Sequence, residues 1–350
     1  MDLKSDCDKI YMQRALQLAR CGEGRVSPNP MVGAVIVCDG KIIGEGYHRK
    51  YGEPHAEVNA VASVADKSLL TRSTMYVTLE PCSHYGKTPP CCNLIKECGI
   101  PRVVIGVKDP FPEVSGRGVA ILKEAGIDVR VGVLEEECLF INRRFITAHT
   151  QSRPYVLLKW CESCEGYMAA IENGEQIPVK LSSSVSSLYM HRERSFYDAI
   201  LVGTTTIITD NPSLTVRGWK GNNPLRVVID KEAKLSFENK IFNYDASTLI
   251  FTDLDSDVDD SRYLKIDFSK NIIPQILREL YRRKITSLMV EGGAKTLQSF
   301  IDEGVWDEIR REVSYVSIKD GVKAPELSFA DANVSECGGS KIYVKYQTER

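Results

Sequence analysis

At 350 residues, 43% hydrophobic and 26% charged, with a net charge of −2, the chain has ordinary globular composition and is long enough for two cores rather than one. The near-neutral balance removes the electrostatic case for a polyanionic partner, no apolar run approaches the roughly 18 residues of a membrane helix, and the polar start Met1-Asp-Leu-Lys-Ser-Asp6 is unlike a secretory leader. Eleven cysteines without such a leader read as reduced thiols, so a cytoplasmic protein is expected.

In chain order, residues 8–20 place Ile10, Tyr11, Ala15, Leu18 and Ala19 at helical spacing. Residues 32–38 and 41–47 read as strands joined by the Asp39-Gly40 turn, a strong hairpin signal. A helix over 55–65, a strand over 74–79 and a helix over 91–98 follow. Strand, helix, strand and helix over 103–107, 118–125, 128–133 and 135–147 complete a sheet covered by helices on both faces.

Within this half lie His55-Ala-Glu57 and Glu80-Pro-Cys82, with Cys91 after Pro89-Pro90. His55 and Glu57 open one helix, Cys82 follows a strand end, and Cys91 opens another helix, where the positive end of the dipole favours thiolate over thiol. One imidazole and two thiolates make a three-ligand zinc site whose fourth position is kept for water. Zinc lowers the pKa of that water to about 7. Glu57, beside the metal and not on it, is placed to carry protons from the attacking water to a leaving amine. A His-x-Glu with a Pro-Cys and a second cysteine is the kit of zinc base deaminases; here eight residues separate the two cysteines.

That spacing narrows the choice. Pro81, Cys82, His84, Gly86, Lys87, Thr88, Pro89, Pro90 and Cys91, with Ser27-Pro-Asn29-Pro-Met-Val-Gly33, Asp109-Pro-Phe-Pro112 and Gly116-Arg-Gly118, resemble the deaminase half of the bifunctional riboflavin-biosynthesis deaminase/reductases over residues 8–145. The resemblance implies a cytidine-deaminase-like three-layer α/β/α sandwich. It also implies Zn2+ on His55, Cys82 and Cys91, catalytic Glu57, and substrate contacts from Asn29, His48 and Lys87, the last to a phosphate.

The polar stretch 148–153, ending before Pro154, reads as a linker between a deaminase domain, 1–147, and a second domain, 154–350. Strands over 155–160, 199–202, 225–229, 248–251 and 287–290 alternate there with helices over 183–196, 272–283 and 294–303. Asp198-Ala-Ile-Leu-Val-Gly203, Thr206, Asp210-Asn-Pro212, Leu214-Thr-Val-Arg217 and Val290-Glu-Gly-Gly293 resemble the reductase half of the same family. This implies a dihydrofolate-reductase-like α/β domain that uses NADPH. By the same resemblance Arg194, Leu214, Arg217 and Glu291 face substrate. Thr206, Asp210 and the turn Gly293, Ala294, Lys295, Thr296, Leu297, Gln298 and Ser299 face the cofactor, whose phosphates suit a helix N-terminus. Two positions depart from the family: Ser163-Cys164-Glu165-Gly166 stands for Ser-Leu-Asp-Gly, and Lys180-Leu181-Ser182 for Trp-Ile-Thr/Ser. Cys161 and Cys164 have no second pair at zinc-finger spacing.

The activity implied is hydrolytic deamination of 2,5-diamino-6-(5-phosphoribosylamino)pyrimidin-4(3H)-one, then NADPH reduction of the ribosyl to a ribityl chain. The expected partner is that small molecule, with no nucleic acid and no membrane, in a homo-oligomer. Three rivals are distinguishable. A nucleic-acid-editing zinc deaminase requires a basic groove with stacking aromatics. A structural zinc module with His84 as fourth ligand leaves Glu57 without a task. A deaminase whose reductase domain has lost activity is suggested by Lys180.

Overall fold

Helix α1 (Leu3–Arg20) lays Met12, Ala15, Leu16 and Ala19 on one stripe, and all four are buried. In the computed structural model, which describes residues 3–83, 85, 89–110, 115–254 and 260–347, this helix belongs to the first of two compact units, Met1–Ser152 and Arg153–Arg350. Strands β1 (Gly33–Cys38) and β2 (Lys41–Tyr47) form the expected hairpin, with Asp39 and Gly40 at φ 50° and 75°. Then come α2 (Ala56–Ser63), β3 (Thr74–Leu79), α3 (Cys91–Glu97), β4 (Arg102–Val107), α4 (Arg117–Glu124) and β5 (Asp128–Val131). The sheet runs β2-β1-β3-β4-β5, with β3, β4 and β5 parallel and β1 antiparallel to both of its neighbours.

Alternation along each strand divides the core into two layers. Ala34, Ile36, Met75, Val77, Val103 and Ile105 pack with α2, α3 and α4. Val35, Val37, Tyr76, Leu79 and Val104 pack with α1 and with Cys138 and Ile141 of α5 (Glu135–Ile141). The unit is thus the three-layer sandwich expected.

One expected element is two. The helix read over 135–147 breaks at Asn142 into α5 and α6 (Arg143–Gln151). The cause is tertiary: buried Asn142 accepts from the Met31 N–H at 2.8 Å and donates to the Met31 carbonyl at 2.9 Å. Helix α6 continues through Gln151, and Ser152 ends it at φ 53°.

The second unit begins with β6 (Tyr155–Glu162), the small strands β7 (Tyr167–Glu172) and β8 (Glu175–Ile177), and α7 (Ser184–Arg194). It continues through β9 (Ala199–Gly203), α8 (Thr204–Asp210), β10 (Leu225–Ile229), β11 (Thr248–Thr252), β12 (Tyr263–Lys265), α9 (Ile272–Arg282), β13 (Ser287–Gly292) and α10 (Ala294–Asp302). It closes with β14 (Glu308–Val313), β15 (Gly321–Lys323), β16 (Asn333–Cys337) and β17 (Ser340–Tyr346). A nine-stranded sheet runs β12-β11-β10-β9-β13-β6-β14-β17-β16, parallel from β12 to β14 and antiparallel beyond; β15-β7-β8 form a separate small sheet.

Strand β14 was not anticipated, because Glu-Ile-Arg-Arg-Glu-Val does not read as a strand in the interior of a sheet. Its charges are neutralised in place. Glu308 accepts from the Tyr155 hydroxyl at 2.9 Å and from Arg310, Arg310 also pairs with Glu193 of α7, and Arg311 pairs with Glu162 at 2.6 Å. Among the described residues no helix is long and apolar enough to cross a membrane.

Candidate active sites

In the first unit the turn after β2 delivers His55 as the N-cap of α2, with extended backbone and no capping hydrogen bond, so its ring is free to serve elsewhere. Cys82 lies just beyond the end of β3, and Cys91 is the first residue of α3 behind Pro90. The three converge. His55 Nδ1 lies 3.6 Å from Cys82 Sγ and 3.4 Å from Cys91 Sγ, and the ligand atoms of all three fall within 4.8 Å of one another. The Cys91 N–H donates to Cys82 Sγ at 3.2 Å. A hydrogen bond from the Cys91 thiol, helped by His55, holds Cys82 well below the usual thiol range, while Cys91 itself is pushed up. One nitrogen and two sulfurs, one already favouring thiolate, suit a tetrahedral soft-to-borderline cation such as zinc.

Glu57, two residues on, is only 3% exposed. Burial pushes its carboxyl up to about 7, with the neighbouring Cys82 thiolate adding to the effect. It lies in hydrogen-bond reach of the Cys91 thiol. A proton carrier with that affinity is matched to exchange near neutral pH.

His48, 2% exposed, stands edge-on to His55 with ring centroids 5.5 Å apart, and burial lowers its affinity for a second proton. Its Nε2 is 3.2 Å from Asn29 Nδ2, and its Nδ1 is 3.2 Å from the Pro54 carbonyl. Asn29 and His48 are therefore brought together beside the metal-ligand cluster. Lys87 and His84 lie outside the described residues.

Sequence reasoning missed Glu80. This buried carboxylate accepts from the N–H groups of Asp109, Gly116 and Val119 at 3.1, 2.9 and 3.0 Å, holding Asp109 and the start of α4 against the Cys82 segment. Gly118 must be glycine there, since a Cβ would come within 2.3 Å of the Pro81 carbonyl. The available signal was an acid placed directly ahead of Pro-Cys.

In the second unit Arg194, at the end of α7, donates from Nη1 to the Thr215 carbonyl and from Nη2 to Glu291 Oε2, both at 2.8 Å. Burial alone would raise the Glu291 carboxyl; Arg194 and then Lys159 hold it below its ordinary range. Arg194 Nε and Glu291 Oε1 are buried without a protein partner among the described residues. The exposed Arg217 donates its backbone N–H to His191 Nδ1 at 3.3 Å. His191 is a further residue that the sequence did not mark, one turn before Arg194 on α7. The side chain of Leu214 is buried in the core with Ile200, Val202 and Ile207.

Gly203 ends β9 before α8, and Gly293 follows the end of the adjacent parallel strand β13 before α10. A Cβ at Gly203 would meet Thr296 Oγ1 at 2.8 Å, and one at Gly293 would meet Thr206 Oγ1 at 3.4 Å. Gly293 caps α10 with no side chain, leaving the N–H groups of Ala294, Lys295 and Thr296 at an open helix start. Leu297 points into the core, Gln298 is committed to Asp302 and the Glu326 N–H, and Ser299 donates to the Thr296 carbonyl. Asp210 ends α8, exposed. Lys180 is exposed, and Glu165 reaches the Ser317 hydroxyl and the Ile318 N–H, tying the 163–166 turn to the loop after β14.

Comparison with known proteins follows this division. Residues 5–107 match the cytidine and deoxycytidylate deaminase zinc-binding region, and residues 154–314 match the RibD C-terminal domain. The chain is 41% identical to riboflavin biosynthesis protein RibD of Aquifex aeolicus, over 94% of this chain and 91% of that protein. It is 34% identical to RibD of Escherichia coli, over 93% and 89%. A crystal structure from Thermotoga maritima, of a diaminohydroxyphosphoribosylaminopyrimidine deaminase/5-amino-6-(5-phosphoribosylamino)uracil reductase, superposes with a TM-score of 0.88 at 37% identity, over 99% of this chain and all of that one.

Proposed function

The chain belongs to the RibD family, the bifunctional deaminase/reductases of riboflavin biosynthesis, and on that footing we propose the residues and the ligands through which it works. The first unit deaminates 2,5-diamino-6-(5-phosphoribosylamino)pyrimidin-4(3H)-one; the second reduces the ribosyl chain of the product with NADPH. The observation that carries the first assignment is the meeting of His55, Cys82 and Cys91 beside buried Glu57.

His55 and the sulfurs of Cys82 and Cys91 would hold zinc, which would supply an acidified water at neutral pH. Glu57, buried and with a carboxyl raised to about 7, would accept a proton from the attacking water and return one to the amine nitrogen as the C–N bond breaks. Ammonia leaves and a ring carbonyl remains. Asn29, held by His48, orients the heterocycle. Lys87 meets the phosphate of the substrate.

In the second unit the open start of α10, with Thr206 beside it, receives the phosphates of NADPH. Glu291 and Arg194 lock each other at the edge of the sugar site, which leaves the exposed Arg217 to meet the substrate phosphate with its planar fork of donors. The cofactor brings the hydride, and the protein positions it against the sugar carbon. The balanced charge fits a chain without nucleic-acid partners.

Incubation with the diaminopyrimidinone phosphate, with and without NADPH and read by mass spectrometry, tests both steps. Loss of the amine without NADPH and a further gain of two hydrogens with it are expected. Glu57→Gln should keep zinc yet lower ammonia release by a factor on the order of 10²–10⁴. A near wild-type rate in that variant removes Glu57 from the role.

A further inference from the structure

We propose that Glu193, through its buried pair with Arg310, is a positioning residue of the reductase: it sets the last turn of α7 and with it the loop 215–221, which carries Arg217. The proposal rests on the reading of Arg217 as the phosphate contact and deepens it. It gives the charges of β14 a task in the reaction.

The loop is held, residue by residue, by the end of α7. Arg194 donates to the Thr215 carbonyl at 2.8 Å, and His191 Nδ1 accepts from the Arg217 N–H at 3.3 Å. The Arg192 guanidinium stands over the Trp219 ring, 5.9 Å from its centroid. A Cβ on Gly221 would come within 2.4 Å of Ser195 Cβ, so the loop passes in contact with the helix end there as well. Where this turn goes, Arg217 goes.

Two ion pairs of opposite sense fix the turn to the sheet. Glu291 and Arg310 lie on β13 and β14, the strands that flank β6. Arg194 reaches Glu291 at 2.8 Å on one side, and Glu193 reaches Arg310 on the other. Glu193 is 5% exposed, and its Oε1 lies 3.7 Å from Arg192 Nη1, so one carboxylate joins the sheet to the guanidinium over Trp219. Arg310 is itself fixed, since fully buried Glu308 accepts from its Nε at 2.5 Å and from the Tyr155 hydroxyl at 2.9 Å.

Packing alone controls the helix less. Ser186, Tyr189 and Met190, on the stripe of α7 that ends in Glu193, stand over a cavity shared with Lys159 and Glu312. Close packing transmits and resists movement, and a void removes that resistance. An uncharged residue 193 therefore lets the turn roll. The cofactor's helix start stays in place, because α10 packs with Val156 and Leu158 on one face of the sheet and α7 with Tyr155 and Leu157 on the other.

Acrylamide quenching of tryptophan fluorescence in the full chain reads the loop without reference to activity. Trp160 and Trp306 are buried and Trp219 is 44% exposed, so the quenched signal is that of Trp219. Glu193→Gln keeps the shape and removes the charge; it should increase quenching. It should also raise the KM for the deaminated substrate roughly tenfold, as a displaced contact does, with kcat and the Kd for NADPH kept. Glu193→Asp, which keeps the charge, should recover part of both changes. A Tm that falls while quenching and KM stay at wild-type values reduces the pair to scaffold and overturns the proposal; so does an equal loss of NADPH affinity. Should Glu193→Gln fail to fold, Arg310→Lys takes its place, because lysine keeps a cation for Glu308 but lacks the fork that spans both acids. Unchanged quenching and KM in that variant overturn the proposal as well. If Arg217→Ala leaves the KM at its wild-type value, the phosphate reading fails, and quenching still decides whether Glu193 sets the loop.

Discussion

At the scale of single residues, chemistry is set by what burial does to ionisable groups. Glu57 is an ordinary carboxylate in the sequence; enclosed at 3% exposure its carboxyl rises to about 7 and becomes a group that can take and return a proton under neutral conditions. Lys87 is the residue on which phosphate recognition in the deaminase is expected to turn. Lys87→Ala should raise the KM for the phosphorylated substrate several-fold, on the order of 1 kcal/mol for a partly solvated charge contact, and leave zinc content alone. Steady-state kinetics on phosphorylated and dephosphorylated substrates check this, and equal behaviour of both proteins on both substrates would withdraw the assignment. The residue types of the zinc cluster were legible because a His, two Cys and an adjacent Glu have few other uses together. The partnership of His48 with Asn29 was not legible, since it depends on which ring nitrogen faces which group. The pairing of Arg194 with Glu291 was hidden for a similar reason: 97 residues separate them along the chain.

At the scale of elements, two polar residues decide how helices sit. Asn142 interrupts what periodicity alone reads as one helix, because its amide closes two hydrogen bonds on Met31 and so holds the segment that carries Asn29. Asn142→Ala should cost about 1–3 kcal/mol through the unpaired Met31 groups and raise the deaminase KM with zinc retained; denaturant unfolding and kinetics together test it. Asp8 ties α1 to the sheet: it accepts from Arg102 at 2.8 and 3.0 Å, from Arg130 at 2.8 Å and from the Tyr76 hydroxyl at 2.9 Å. Burial opposes its charge, but these partners, Arg102 first, bring its carboxyl below the ordinary value. A carboxyl depressed in the folded state stabilises above its unfolded pKa, and that stabilisation is lost as pH falls through the folded one. Asp8→Asn should therefore lower Tm at neutral pH, by a loss on the order of 2–4 kcal/mol. It should also flatten the fall in stability below the ordinary carboxylate range. Thermal melts across pH 2–7, with that window set roughly by the shift, would show an unchanged acid limb if Asp8 contributes nothing.

At the scale of the molecule, two compact units carry two chemistries, and each should fail alone. A zinc chelator should abolish ammonia release while leaving NADPH oxidation intact on the deaminated product. Arg217→Ala should do the reverse, lowering kcat/KM of the reduction roughly tenfold to a hundredfold through the lost phosphate contact with ammonia release untouched. Loss of both activities in either experiment would mean that the steps are not separable in this chain. The departures from the family in the second unit are accommodated locally. Glu165, longer than the aspartate usual there, reaches the loop after β14, and Lys180 stands exposed where an aromatic ring is usual.

Much of this protein was settled by its sequence alone. The zinc kit, the order of the two halves and most elements that frame the sites were readable, because His-x-Glu, Pro-Cys, hairpin turns and strand-then-glycine starts are local statements about chemistry and backbone. Tertiary structure decided the rest. Strand β14 carries Glu308, Arg310, Arg311 and Glu312, whose charges are tolerable only where partners from other strands and from α7 meet them. The break at Asn142, the three backbone N–H groups gathered by Glu80 and the meeting of Asn29 with His48 likewise depend on groups remote in the chain. The division has one physical reason: turns, caps and ligand spacing are fixed by neighbours along the backbone, whereas burying a polar group is possible only when a distant partner satisfies it.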